Sequence, residues 1–387
     1  MRTVEGRTAR LLGCDSARDP TQANDQTLRK GHTVMRDVPW SAGRRPLRRL
    51  ISLLGCVAAI TLLGACGGAQ TQTGQAAARS GQATPLAAPV GQTVLPFTGL
   101  NHPEGVAVDT AGNVYVTDKL NSRVLKLAAG ATTATVLPFP MYPVHDNGTP
   151  ITGGTDGLLV DPAAVAVDKV GNLYVSDCNT SRVWKLAAGS NTPIVLLTGL
   201  LDVFGLAVDS AGNLYGTAAN VLRDGHYLRT VGHYGLVWKL AAPTTPNATW
   251  TEVPFPGLNN PVGVAVDSTG NLYVTDNPRG PAFGEKVGDP QLGSHQVVKG
   301  TADLTTQTVL PFTGLHNPGG VAVDSTGNLY VTDNGNNRVV KLAAGSGTQT
   351  VLPFTGLHWP HGVAVDTAGN LYVTDTGNNR VVKLGLG

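Results

Sequence analysis

The residues able to do chemistry in this chain of 387 gather in loops rather than along its apolar runs. Eight of the nine histidines lie beyond residue 100: His102, His145, His226, His233, His295, His316, His358 and His361. A catalytic zinc needs three protein ligands and an open position, and His102, His316, His358 and His361 stand in equivalent loops that could supply them. Only His358 and His361 are close in sequence, and Glu104 is the one carboxylate placed to join them. The primary expectation is therefore no cofactor and no metal. No Ser-His-Asp or Cys-His arrangement can be argued from the spacing. Acidic turns such as Asp324-Ser325-Thr326-Gly327-Asn328 lack the D-x-D-x-D-G ligand spacing of a calcium loop and read as structural.

A repeat must position these residues. Residues 309–345 recur with few changes as 351–384 and 94–130, and with interruptions as 194–240, 253–299 and 136–189. The Asp closing each G-V-A-V-D run stands at Asp109, Asp168, Asp209, Asp267, Asp324 and Asp366, with spacings of 59, 41, 58, 57 and 42. A basic period of 41 or 42 residues, holding four strand-like runs and no helical periodicity, predicts an all-β, six-bladed β-propeller. In the fifth copy the strands are expected at 320–324, 329–333, 338–342 and 350–354. The ring starts with a fourth-strand sequence at 92–97 and stops with a third strand at 380–384, so pairing these two segments would complete the last blade and close the ring. Asp118, Asp177, Asp276, Asp333 and Asp375 end second strands, and Arg123, Arg182, Arg338 and Arg380 open third strands. Each such Asp and Arg reads as a partly exposed salt bridge of about 0.2–1 kcal/mol across a short turn.

The consensus P-x-G-V-A-V-D-x-x-G-N-L-Y-V-T-D-x-x-N-x-R-V-x-K-L resembles the NHL repeat across nearly all of 92–387. It is similar to the extracellular sensor domain of actinobacterial receptor serine/threonine kinases, whose repeats also read V-L-P-F-x-G-L and G-N-N-R-V-V-K-L. The kinase motifs themselves, G-x-G-x-x-G, H-R-D and D-F-G, are absent, so no kinase activity is expected. The resemblance implies a binding propeller. It also implies an alternative: peptidylglycine-amidating lyases bind zinc through histidines and six-bladed lactonases bind calcium near the axis. A metal-dependent lyase or lactonase, with zinc or calcium, thus remains the second reading.

Charge and composition divide the rest. Residues 1–65 carry 11 Lys or Arg against 5 Asp or Glu, and residues 66–387 carry 17 against 21, a balance of −4 that points away from nucleic acid. Residues 1–34 have no periodic pattern and read as an uninformative extension, a gene-model artefact if translation starts at Met35. Residues 35–65 read as a lipoprotein signal peptide: basic residues Arg44, Arg45, Arg48 and Arg49, a short apolar run, then Leu63-Gly64-Ala65-Cys66, which looks like a lipobox. Cys66 would carry the lipid, palmitate included, with export by the general or the twin-arginine route left open. Residues 67–91, rich in Gly, Gln, Ala and Thr, read as a disordered tether spanning roughly 25–30 Å. Residues 92–387 form the propeller, expected at the outer side of the cell membrane. Cys178 is the one cysteine within it, so no disulfide can form there.

Antiparallel strands let each connection be assigned to a face. The insertions at 140–161, 219–235 and 277–294 fall on one face, and all eight histidines map to it. Near the channel on that face stand Glu104, Ala163, Phe204, Val262, Gly319 and His361. The expected function is capture of an extracellular protein, peptide, glycan or small ligand, with Tyr142, His145, Arg223, His226, Tyr227, His233, Tyr234 and Phe283 as loop anchors and Glu104 and His361 at the centre.

Overall fold

The computed structural model describes residues 91–141, 157–198, 200–223, 226–227, 235–243, 245–246, 248–278 and 294–386. The lipobox with Cys66, the tether, and the anchors Tyr142, His145, His233, Tyr234 and Phe283 lie outside the described residues. Among the described residues no helix is long and apolar enough to cross a membrane.

Each repeat folds into one antiparallel sheet, and the six sheets are the blades of a propeller. Blade five shows the plan: Pro318–Val323 lines the axis, then Leu329–Asp333, Arg338–Leu342 and Gln349–Val351 step outward. The second and third strands match their expected spans. The inner one starts earlier because Pro318 pairs with Asp333 across a bulge before Val321. The outer one stops at Val351, since Pro353 has no N–H for the ladder and Phe354 N–H turns back to Leu352 O at 2.8 Å.

The ring closes as the two ends of the repeat array require. Gln92–Val94 joins blade six, pairing Gln92 with Leu384, Thr93 with Lys383 and Val94 with Val382, and Leu95 N–H adds a bond to Val381 O at 2.9 Å. Behind this seam Leu100, Val106, Val116 and Leu125 of blade one pack with Ala364, Tyr372 and Val381 of blade six. Inner and second strands are apolar on both faces because each blade is sandwiched between two others. Burying such side chains is worth about 1.5–3 kcal/mol each.

The blades are also bonded to one another around the axis. A hydroxyl on each second strand accepts the N–H of the inner strand of its own blade and donates to a carbonyl of the next. Gly105 N–H gives to Thr117 Oγ1 at 2.6 Å, and that hydroxyl gives to Ala163 O at 2.8 Å. Thr217 reaches Val262 O, Thr275 reaches Gly319 O and Thr332 reaches His361 O, all at 2.6 Å. Thr374 reaches Glu104 O at 2.7 Å, carrying the belt across the seam. Glycine on the inner strand permits this approach: a Cβ on Gly105 would lie 2.5 Å from Ala163 O, and one on Gly362 would lie 2.4 Å from Glu104 O. Blade two has Ala164 there instead, and its bond, Ser176 to Phe204 O, is stretched to 3.4 Å.

The acidic turns serve their own backbones. Asp324 Oδ1 accepts from Thr326 N and Asn328 N, and Oδ2 from Asn328 Nδ2 and the Tyr330 hydroxyl. Lys341 then stands 5.5 Å above the Tyr330 ring, an arrangement repeated in every blade. The Asp and Arg pairs differ from expectation in one respect. Arg123, Arg338 and Arg380 are partly exposed, with Nε 2.6, 2.7 and 2.6 Å from Asp118, Asp333 and Asp375, but those carboxylates are fully buried. They also accept loop N–H groups, such as Asn101 N at 2.7 Å and His316 N at 2.7 Å. The Asp is thus the hub of the turn rather than half of a surface pair.

Candidate functional site

The first residues of the six inner strands surround one mouth of the axial channel. They frame a cavity of about 70 Å³ whose wall includes Glu104, Ala163, Phe204, Val262, Gly320 and His361. Most of this lining is backbone and small apolar side chain, and Glu104 and His361 supply the titratable groups. They sit in neighbouring blades, one and six, whose contact is the seam closed by Gln92–Val94.

A second ring lies just behind, made by the residue that follows the second-strand Asp. In three blades it ties the ring together: Thr376 Oγ1 gives to Pro103 O at 2.6 Å, Asn277 Nδ2 to Pro318 O at 3.1 Å, and Cys178 Sγ to Val203 O at 3.3 Å. In blade one the residue is Lys119. Its ammonium lies 2.7 Å from Glu104 Oε1, and both residues are only 4% exposed. Burial works against the charge on Glu104, but the Lys119 ammonium, helped by His102, holds its carboxyl far below the usual range. Burial likewise disfavours the charge on Lys119, and Glu104 more than reverses it, so the ammonium persists above its ordinary range. The pair is ionised at any physiological pH.

Two imidazoles approach the same carboxylate. His102 Nδ1 is 3.5 Å from Glu104 Oε1, too long for a strong hydrogen bond. His361 is held below the ordinary histidine range by burial, which outweighs the nearby Glu104, and is therefore neutral at pH 7. Its Nε2 is buried without a hydrogen-bond partner. Trp359, two residues earlier, is partly exposed and holds φ at +54°, the left-handed region that Asn317 occupies at the equivalent place in blade five.

Of the sequence-derived candidates, the fold thus brings Glu104, His102 and His361 together. His316 and His358 instead lie over turns of their own blades, so close that a Cβ on Gly335 or Gly377 would strike their rings. Arg223, His226 and Tyr227 fall in an unforeseen hairpin: the second strand of blade three runs on to Arg223 and pairs back with His226–Tyr227. Lys119 was not singled out from sequence, although aligning it with Cys178, Asn277, Asn334 and Thr376 shows the one charged member of a buried ring.

The Lys119 ammonium occupies the position beside Glu104 that a cation would take. Among the described residues, no three His, Cys, Asp or Glu side chains are grouped to hold a metal.

Comparison with known families accounts for the repeat. The NHL repeat matches residues 100–127, 159–186, 258–280, 315–342 and 357–384. The ring is an NHL-repeat propeller. The third unit, where Ala218 and Leu236 replace the Asp and Arg, lies outside the matched segments. Over 53 residues the NHL propeller is 64% identical to the serine/threonine-protein kinase PknD of two Mycobacterium tuberculosis strains, CDC 1551 / Oshkosh and H37Rv. That segment is 13% of this chain and 8% of each kinase, so the chain spans a small part of the curated relatives it matches. Among solved structures, the NHL propeller resembles a Xanthomonas campestris gluconolactonase, with TM-score 0.56 at 17% identity, covering 78% of this chain and 92% of that one. A nidogen/laminin complex gives 0.52 at 20%, covering 71% and 89%. A Staphylococcus aureus virginiamycin B lyase gives 0.50 at 15%, covering 77% and 99%. At such identities the likeness is one of fold.

Proposed function

We propose that this chain is an extracytoplasmic lipoprotein, tethered through Cys66, whose NHL propeller binds a ligand or partner at the channel mouth and on the loops around it. The observation that carries the reading is the buried Glu104–Lys119 pair, which one blade in six places at the mouth. A buried ion pair costs desolvation that a repeating apolar ring has no structural need to spend, and such departures from pattern mark functional sites. The three insertions add weight. Two of them follow second strands, after Arg223 and after Asn277, and the third follows Met141, which bridges to Leu159. The similarity to a kinase named PknD fits a sensing role, carried out here without kinase motifs. A lyase or lactonase activity has fold likeness alone behind it.

Shortening all three insertions to the lengths found in blade five tests the reading. Capture of a partner from cell-envelope extract by the parent, lost in the shortened chain at unchanged melting temperature, is the expected result. Equal capture by both would overturn it. For the anchor, Cys66→Ala should release the protein from membranes, and a variant that still fractionates with them would contradict lipidation at Cys66.

A further inference from the structure

The channel mouth carries a more specific assignment, which rests on the binding reading above. The geometry points to a small, neutral, hydroxyl-bearing ligand, a polyol or the end group of a saccharide, seated against Glu104 and His361 in the 70 Å³ cavity.

Charge argues first. Glu104 is already matched by Lys119 at 2.7 Å, so an amine would have to displace an internal ammonium that is buried and bonded. An anion would face Glu104 and, beyond Lys119, Asp161, whose field also acts on that lysine. A neutral hydroxyl faces neither penalty. It can donate to the carboxylate and accept from, or donate to, a neutral imidazole.

Unmet bonding argues second. Nε2 of His361 is buried with no partner, and Nδ1 of His102 is likewise buried and stands 3.5 Å from Glu104. A buried polar atom left unpaired costs roughly 1–3 kcal/mol, which a ligand hydroxyl would recover. Of the two, His361 belongs to the cavity wall beside Glu104, so one hydroxyl can meet both groups.

Shape argues third. The remaining wall is apolar, with Ala163, Phe204 and Val262 opposite, and would meet the C–H faces of a polyol. The cavity has room for a diol or hydroxymethyl end.

Ligand-observed NMR on residues 92–387 as part of the full chain, with methyl α-D-glucopyranoside, glucuronate and glucosamine as probes, tests the assignment. The neutral glycoside should bind with Kd of about 1–10 mM, and the two charged congeners at least about tenfold more weakly. His361→Phe should abolish the signal. His361→Gly installs the residue that blade five carries at the equivalent place, Gly319, so it should fold normally and weaken binding at least about tenfold. No binding of the glycoside at about 50 mM would overturn the assignment, as would equal binding of glucosamine or glucuronate, or binding untouched by both substitutions. Envelope capture that depends on the loops while the glycoside fails to bind would refute the mouth assignment and leave the broader binding reading standing.

Discussion

Thr374 shows what a single residue does in this ring. Its hydroxyl accepts Gly362 N–H at 2.7 Å and donates to Glu104 O at 2.7 Å, so it fixes the backbone of a mouth residue from the neighbouring blade. Thr374→Val keeps the shape and strands two buried backbone groups, which should cost about 2–4 kcal/mol in a urea titration. Thr374→Ser should restore most of it, because Ser176 already serves in blade two. A valine variant as stable as the parent would remove the belt from the explanation. Acid sensitivity is also set by single residues. Burial pushes the Asp324 carboxyl up, but hydrogen bonds from Asn328, Thr326 and Tyr330 win and hold it at about 2, against an ordinary 3.8. A depressed carboxyl contributes stability above its unfolded pKa and loses it as pH falls through the folded one. The parent should therefore weaken between about pH 4 and pH 2, and Asp324→Asn should weaken less over that window while being less stable at pH 7. Parallel stability curves for the two proteins would contradict this.

At the scale of the element, the turn between second and third strands explains where the blades differ. Asp276 is buried like its counterparts, but its partner is Gln296, at 3.1 Å, and burial raises its pKa. Gln296→Arg would supply the guanidinium that Asp333 finds in Arg338, and Gly257 holds the sequence position that Gly314 has for that arginine. The substitution should stabilise the protein by about 1 kcal/mol and raise the melting temperature by roughly 2 °C. A lower melting temperature would show that the insertion has moved the third strand out of reach. These turns also mark what the sequence made legible. Strands such as Leu329–Asp333 and Arg338–Leu342 were readable to the residue because alternation, turn glycine and repeat agree. The hairpin at His226–Tyr227 was not, because a unique insertion has no second copy to align. Lys119 escaped for a different reason: a lysine after a strand end ordinarily points to solvent, and only the three-dimensional ring shows it buried against Glu104.

For the whole molecule, the site and the seam coincide. Glu104 belongs to the first blade and His361 to the last, and what holds these blades in one ring is a strand from the far end of the sequence. Three strands in blade six would leave an unpaired edge and let the mouth spread, whereas Gln92–Val94 completes the sheet and the Thr374 bond completes the belt. The most direct measurement is thermal unfolding of two truncated proteins beside the parent. A ring fastened by its first strand predicts a markedly lower melting temperature, by roughly 5 °C or more, when residues 92–97 are deleted, and no change when residues 67–90 are deleted. Equal melting temperatures for the two truncations would contradict the closed ring and, with it, a mouth held in shape between its first and last blades.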